Sequence, residues 1–132
     1  MSETEKQYKI IIVDDDDFLI NMYAAKFGLS NVSVDTFKTG KPLLEKLRTG
    51  MKADLIILDI VLPEMNGIEI LKEIRKNKLG EGIPIMMLTN QNDEKDISET
   101  QKLGIAGYIV KASATPSEVV AEAMKIIKNS HP

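Results

Sequence analysis

No polar residue interrupts Leu55-Ile-Ile-Leu58, and that short run limits the fold more than any other feature of the chain. A strand with one face in water alternates apolar and polar residues. A run without alternation is covered on both faces, as the strands of a parallel sheet are. The run ends in one carboxylate, Asp59, and is followed by Pro63 and an Asn66-Gly67 turn. Lys9-Ile-Ile-Ile-Val13 is a second strand of this kind, and it leads directly into Asp14-Asp15-Asp16-Asp17. Two buried strands that end in acid point to a polar site at the carboxyl edge of an α/β sheet, where open sheets place their reactive groups.

Strand and helix patterns alternate along the rest of the chain. The patterning predicts strands over Tyr8–Val13, Val32–Phe37, Asp54–Leu58, Ile83–Leu88 and Tyr108–Val110. The first helix is expected from Asp16 or Asp17, with Phe18, Met22 and Ala25 inward and Gly28 as its stop. The second starts near Pro42 and stops at Gly50, and the third runs from Gly67 to Lys76. The fourth covers Asp93–Leu103, capped by Asn92 or Asp93, and the fifth opens at the Thr115-Pro116-Ser117-Glu118 capping box and reaches about Lys128. Only Val32–Phe37 shows partial alternation, which puts it at an edge. Five βα units with right-handed crossovers give a doubly wound, five-stranded parallel sheet of order 2-1-3-4-5. This is a flavodoxin-like, three-layer α/β/α fold over residues 8–129, with a flexible tail at 1–7 and a short one at 130–132.

Composition removes several functions. A net charge of -3 with no lysine-arginine cluster argues against direct nucleic-acid binding or an anionic membrane surface. Without cysteine there is no disulfide framework, zinc cluster or thiol catalysis. No apolar run approaches the roughly 18 residues of a membrane span, and residues 1–7 lack the apolar core of a signal peptide. A cytoplasmic protein is expected.

The proposed topology brings Asp14 and Asp15, Asp59, Thr89 and Lys111 to one sheet edge. Taken singly, each has a plain reading: acid at a helix start, a loop hydroxyl, an exposed lysine. Together they pose an electrostatic problem. Two like charges about 4 Å apart cost on the order of 4 kcal/mol at an effective dielectric near 20. Lys111 supplies one compensating charge against three carboxylates, and a divalent ion supplies the other two. An all-oxygen ligand set suits Mg2+, with the carbonyl of Val61 as a further ligand. Met86 and Met87 read as core filling, and His131 lies in the polar tail.

These residues, in this order, resemble the receiver domain of two-component response regulators, and the resemblance covers essentially the whole chain. Val13-Asp14-Asp15-Asp16 is similar to the family's acidic pair, and Asp59 with Pro63 and Asn66-Gly67 to its phosphoacceptor strand and loop. Thr89 matches the switch hydroxyl, and Tyr108-Ile-Val-Lys111 the aromatic switch residue three positions before the family's lysine. The resemblance implies phosphoryl transfer from a sensor histidine kinase or phosphotransfer protein to Asp59. Mg2+ and Lys111 would stabilise the transferred group, and Thr89 would bond to the product. Thr89 and Tyr108 would then switch the face made by the fourth helix, fifth strand and fifth helix for a downstream protein target. A stand-alone receiver is expected.

Two residues depart from the family pattern. Ala112 stands where proline usually follows the lysine through a cis peptide; a cis non-proline bond costs about 3–4 kcal/mol, which puts that bond in question. Asn90 stands where a small residue usually follows the hydroxyl, and is expected to sit at the pocket mouth and limit in-line approach. Glu122 occupies the place of an arginine usual in dimerising winged-helix relatives, which weakens that dimer mode. A haloacid-dehalogenase-type phosphatase would need aspartate at position 61, which is Val61. A flavodoxin-like cofactor carrier would need hydroxyls and glycine, not four aspartates, after the first strand. A phosphorylation-independent pseudo-receiver is the remaining structural alternative, and Mg2+ binding distinguishes it.

Overall fold

A computed structural model describes residues 7–130. The expected tail over 1–7 therefore lies outside the described residues except for Gln7, and so does His131. Along the chain come β1 (Tyr8–Val13), α1 (Asp17–Gly28), β2 (Val32–Phe37), α2 (Gly40–Arg48), β3 (Leu55–Leu58) and α3 (Gly67–Lys76). They are followed by β4 (Ile85–Thr89), α4 (Glu94–Lys102), β5 (Gly107–Val110), a single 3-10 turn at Lys111–Ser113 and α5 (Pro116–Ser130). All strand pairs are parallel, in the order β2-β1-β3-β4-β5.

The missing alternation in the central strands has a direct cause. Ile10 and Ile12 of β1, Leu55 and Ile57 of β3, and Met86 and Leu88 of β4 pack against α1 and α5. Their neighbours Ile11, Val13, Ile56, Leu58, Ile85 and Met87 pack against α2 and α3. Each central strand thus feeds two cores, and both of its faces are apolar. The edge strand β2 pairs only with β1 and exposes part of its length.

Three local expectations are corrected. On α1 the buried side chains are Ile20, Tyr23 and Phe27, whereas Phe18 is 80% exposed, Ala25 is exposed and Met22 half-buried. Gly28 ends that helix as expected, and Asn31 (φ 61) is the left-handed residue before β2. Asn66-Gly67 is not a turn: Asn66 caps α3, Gly67 is its first residue, and the left-handed residue of the loop is Glu64 (φ 70). The second helix begins at Gly40, ahead of Pro42, because proline in a first turn lacks only an N–H that would have no helical partner. Its end at Gly50 (φ 90) is as expected.

Candidate functional site

The four consecutive aspartates divide into different tasks. Asp14, at the end of β1, is buried, and one of its oxygens accepts from the Asp16 N–H at 2.9 Å. Asp15 is exposed. Asp16 caps α1 by accepting from the Leu19 N–H at 3.1 Å, and Asp17, in the first turn, pairs with Lys38 at 2.7 Å. Asp59 follows β3, is also buried, and its Oδ1 accepts from the Val61 N–H at 3.3 Å. Carboxylate oxygens of Asp14, Asp15 and Asp59 all lie within 4.8 Å of one another, a grouping that can hold a metal ion.

Lys111 enters this cluster from the end of β5. Its Nζ lies 2.7 Å from Asp14 Oδ2 and 2.9 Å from Asp59 Oδ2. Burial disfavours the ammonium, but the two carboxylates outweigh it and hold the Lys111 pKa above the ordinary lysine value. Burial pushes the Asp14 carboxyl up, and the bonds from Lys111 and the Asp16 amide only partly offset that. One ammonium against three carboxylates leaves two negative charges, which is the deficit a divalent cation fills. The all-oxygen donor set therefore fits a divalent metal ion.

Thr89 is the last residue of β4 and fully buried, and its Oγ accepts from the Gln91 N–H at 3.3 Å. The Tyr108 hydroxyl donates to the Gln91 carbonyl at 2.5 Å. The backbone of one residue, Gln91, thus bonds both switch candidates, through its N–H and its carbonyl, which the sequence pattern did not reveal. Burial, followed by the charges of Asp96, Asp93 and Asp59, raises the Tyr108 pKa. Val61 is exposed beside the acidic cluster.

Asn90 is engaged with the backbone after β5: its Oδ1 accepts from the Ala112 N–H at 3.1 Å. No peptide bond among the described residues is cis, Lys111–Ala112 included. Two further supports of the site lie at the start of α3. Asn66 and Glu69 form a reciprocal capping box, each side chain bonding the other's backbone N–H at 2.9 Å. Gly67 packs so tightly that a Cβ there would stand 2.1 Å from the Asp59 carbonyl oxygen. The Asn-x-x-Glu spacing was the available signal for the first; no local pattern marks the second.

The sequence matches the response regulator receiver domain over residues 10–124. It is 36% identical over 122 residues to the alkaline phosphatase synthesis transcriptional regulatory protein of Bacillus subtilis, covering 92% of this chain and 49% of that protein. The chain thus spans about half the length of the curated relatives it matches. Among solved structures, a chemotaxis protein of Vibrio cholerae is similar with a TM-score of 0.81 at 26% identity, covering 92% of this chain and 99% of that one. The BeF3-activated receiver domain of RstA from Klebsiella pneumoniae gives 0.78 at 27%, covering 91% and 98%.

Proposed function

This chain belongs to the response regulator receiver family of phosphoacceptor signalling modules, and we propose that its acceptor is Asp59. The donor is a phosphohistidine on a sensor kinase or phosphotransfer protein. The single observation that carries this reading is the Lys111 ammonium shared between Asp14 and Asp59 inside a cluster of three carboxylates. Asp14, Asp15, Asp59 and the Val61 carbonyl would hold Mg2+, which when bound supplies the positive charge that lets an anionic phosphoryl group enter an acidic pocket.

The remaining work falls to the chain's own groups. An Asp59 carboxylate oxygen attacks phosphorus while the P–N bond to the donor imidazole breaks. The bonding pair leaves with the imidazole nitrogen, which takes up a proton, and Asp59 becomes an acyl phosphate. Lys111, already beside Asp59, pairs with the oxygens of the transferring group. Thr89 accepts from Gln91 and keeps its own O–H proton to donate to the product. Drawing Thr89 toward the phosphoryl group releases the Gln91 N–H and shifts the backbone of the residue whose carbonyl anchors Tyr108. That changes the face of α4, β5 and α5 offered to a downstream protein.

Incubation with acetyl phosphate and Mg2+ should add one phosphoryl mass to the intact protein, and chelation of the metal should prevent it. Asp59→Asn should remain unlabelled. Equal labelling of that variant would contradict the assignment.

A further inference from the structure

Asn90 and Ala112 are the two positions at which this site departs from the family pattern, and the structure joins them through the 3.1 Å bond from the Ala112 N–H to Asn90 Oδ1. The β4–β5 ladder reaches as far as Thr89 opposite Val110. The Asn90–Ala112 bond adds a link just beyond that last pair, with a side chain standing in for a backbone acceptor. Thr89 directly precedes one end of the link and Lys111 the other. Proline at 112 would have no N–H to give, so the link requires both departures at once.

The other anchors of Lys111 are Asp14 and Asp59, which are the groups a metal ion and a phosphoryl group engage. The Ala112 bond does not involve them, and it can persist while the carboxylates change partners. Resting on the acceptor role proposed for Asp59, we infer that Asn90 is a positioning residue. It ties the loop after β4 to the turn after β5 and holds Thr89 and Lys111 at the spacing that phosphoryl transfer uses. Both ends of the bond are exposed, so it competes with water and contributes as an ordinary hydrogen bond does.

The test is a two-by-two cycle in the full chain. One change is Asn90→Ala; the other replaces the Ala112 amide with an ester, which removes the N–H and weakens the Lys111 carbonyl as an acceptor. Each alone should slow labelling at saturating acetyl phosphate by about three- to tenfold, the equilibrium factor of one such bond. The combined variant should be no slower than either, because both remove the same link. Mg2+ affinity of the unphosphorylated protein should stay unchanged, whereas general damage to the pocket would lower it. Amide exchange at Ala112 should quicken in Asn90→Ala. Wild-type labelling rates in both single variants, or fully additive losses, would overturn the tether while leaving Asp59 as acceptor. Failure of the wild type to label at Asp59 would instead overturn the acceptor reading, and the tether's role with it.

Discussion

Lys111 shares its ammonium between two buried carboxylates, so truncating it takes the cation from both and leaves each its backbone N–H bond. Removing one member of a buried ionic group costs about 3–5 kcal/mol. Lys111→Met should therefore lower metal-free stability by about that amount, with part of the loss recovered at saturating Mg2+; urea unfolding with and without the ion measures both. Asp15 is the opposite case. It adds a third negative charge to the cluster from an exposed position, where a like pair about 4 Å apart costs about 1 kcal/mol. Asp15→Asn should raise metal-free stability by roughly that amount and weaken Mg2+ binding. A loss of metal-free stability would contradict the electrostatic account of the cluster. Asp14, Asp15, Asp59 and Lys111 were legible as a group because each sits at or just after a strand end that the apolar runs mark. What each aspartate of the run does was not legible. Four identical neighbours differ only in which backbone N–H or cation stands nearby, and folding decides that. The bond between Asn90 and Ala112 was hidden for a similar reason: its ends are 22 residues apart, and only the sheet register brings them together.

The start of α3 is the element most tightly bound to the chemistry. Gly67 donates to the Ile60 carbonyl at 2.8 Å and leaves no room for a side chain against the backbone of Asp59 and Ile60. Backbone cannot swing aside as a flexible side chain would. Gly67→Ala should cost about 1–3 kcal/mol, the range for an overpacked site, and should lower Mg2+ affinity because Asp59 moves with its peptide. Normal metal binding in a destabilised variant would separate Gly67 from the site. Its helix start is secured independently by the Asn66–Glu69 capping box. Helix positions followed closely from the sequence where one face is clearly apolar, as in α2, α3 and α5, and at α5 the Thr115–Glu118 capping box did as well. In α1 apolar residues lie on all sides, among them Phe18, Leu19, Ile20, Met22, Tyr23 and Phe27. Periodicity therefore does not say which face turns inward, and Phe18 was assigned to the wrong one. At α4 the sequence left the cap between Asn92 and Asp93, and it is Asp93 that accepts from the Asp96 N–H at 2.8 Å. The helix buries only Thr100, however, and a bond from the Arg75 Nε to the Leu103 carbonyl at 2.7 Å secures its C-terminal end. Such a side-chain clamp from another helix has no sequence signature.

For the molecule as a whole, the order β2-β1-β3-β4-β5 makes β1, β3 and β4 neighbours at the centre of the sheet. Three segments far apart in sequence therefore end side by side, and β5 adds Lys111 from the edge. The alternation of strands with helices, and the unbroken apolar runs of the central strands, were enough to anticipate this arrangement. Among the described residues no helix is long and apolar enough to cross a membrane, as the hydropathy pattern indicated. Two apolar cores flank a sheet whose carboxyl edge gathers like charges, so the fold carries an electrostatic cost that a divalent ion, when bound, would relieve. Any ligand that binds only the folded chain stabilises it, by about 2.7 kcal/mol at a hundredfold excess over its dissociation constant. The proposed function makes Asp59 the residue that changes covalently. An acyl phosphate is reduced by borohydride to the alcohol, which converts a phosphorylated aspartate to homoserine and marks its place in the chain. Peptide mapping after labelling with acetyl phosphate and Mg2+ and then borohydride reduction should find homoserine at position 59 and at no other aspartate. Homoserine at position 14 or 15 instead, or none anywhere in a fully phosphorylated sample, would contradict the account.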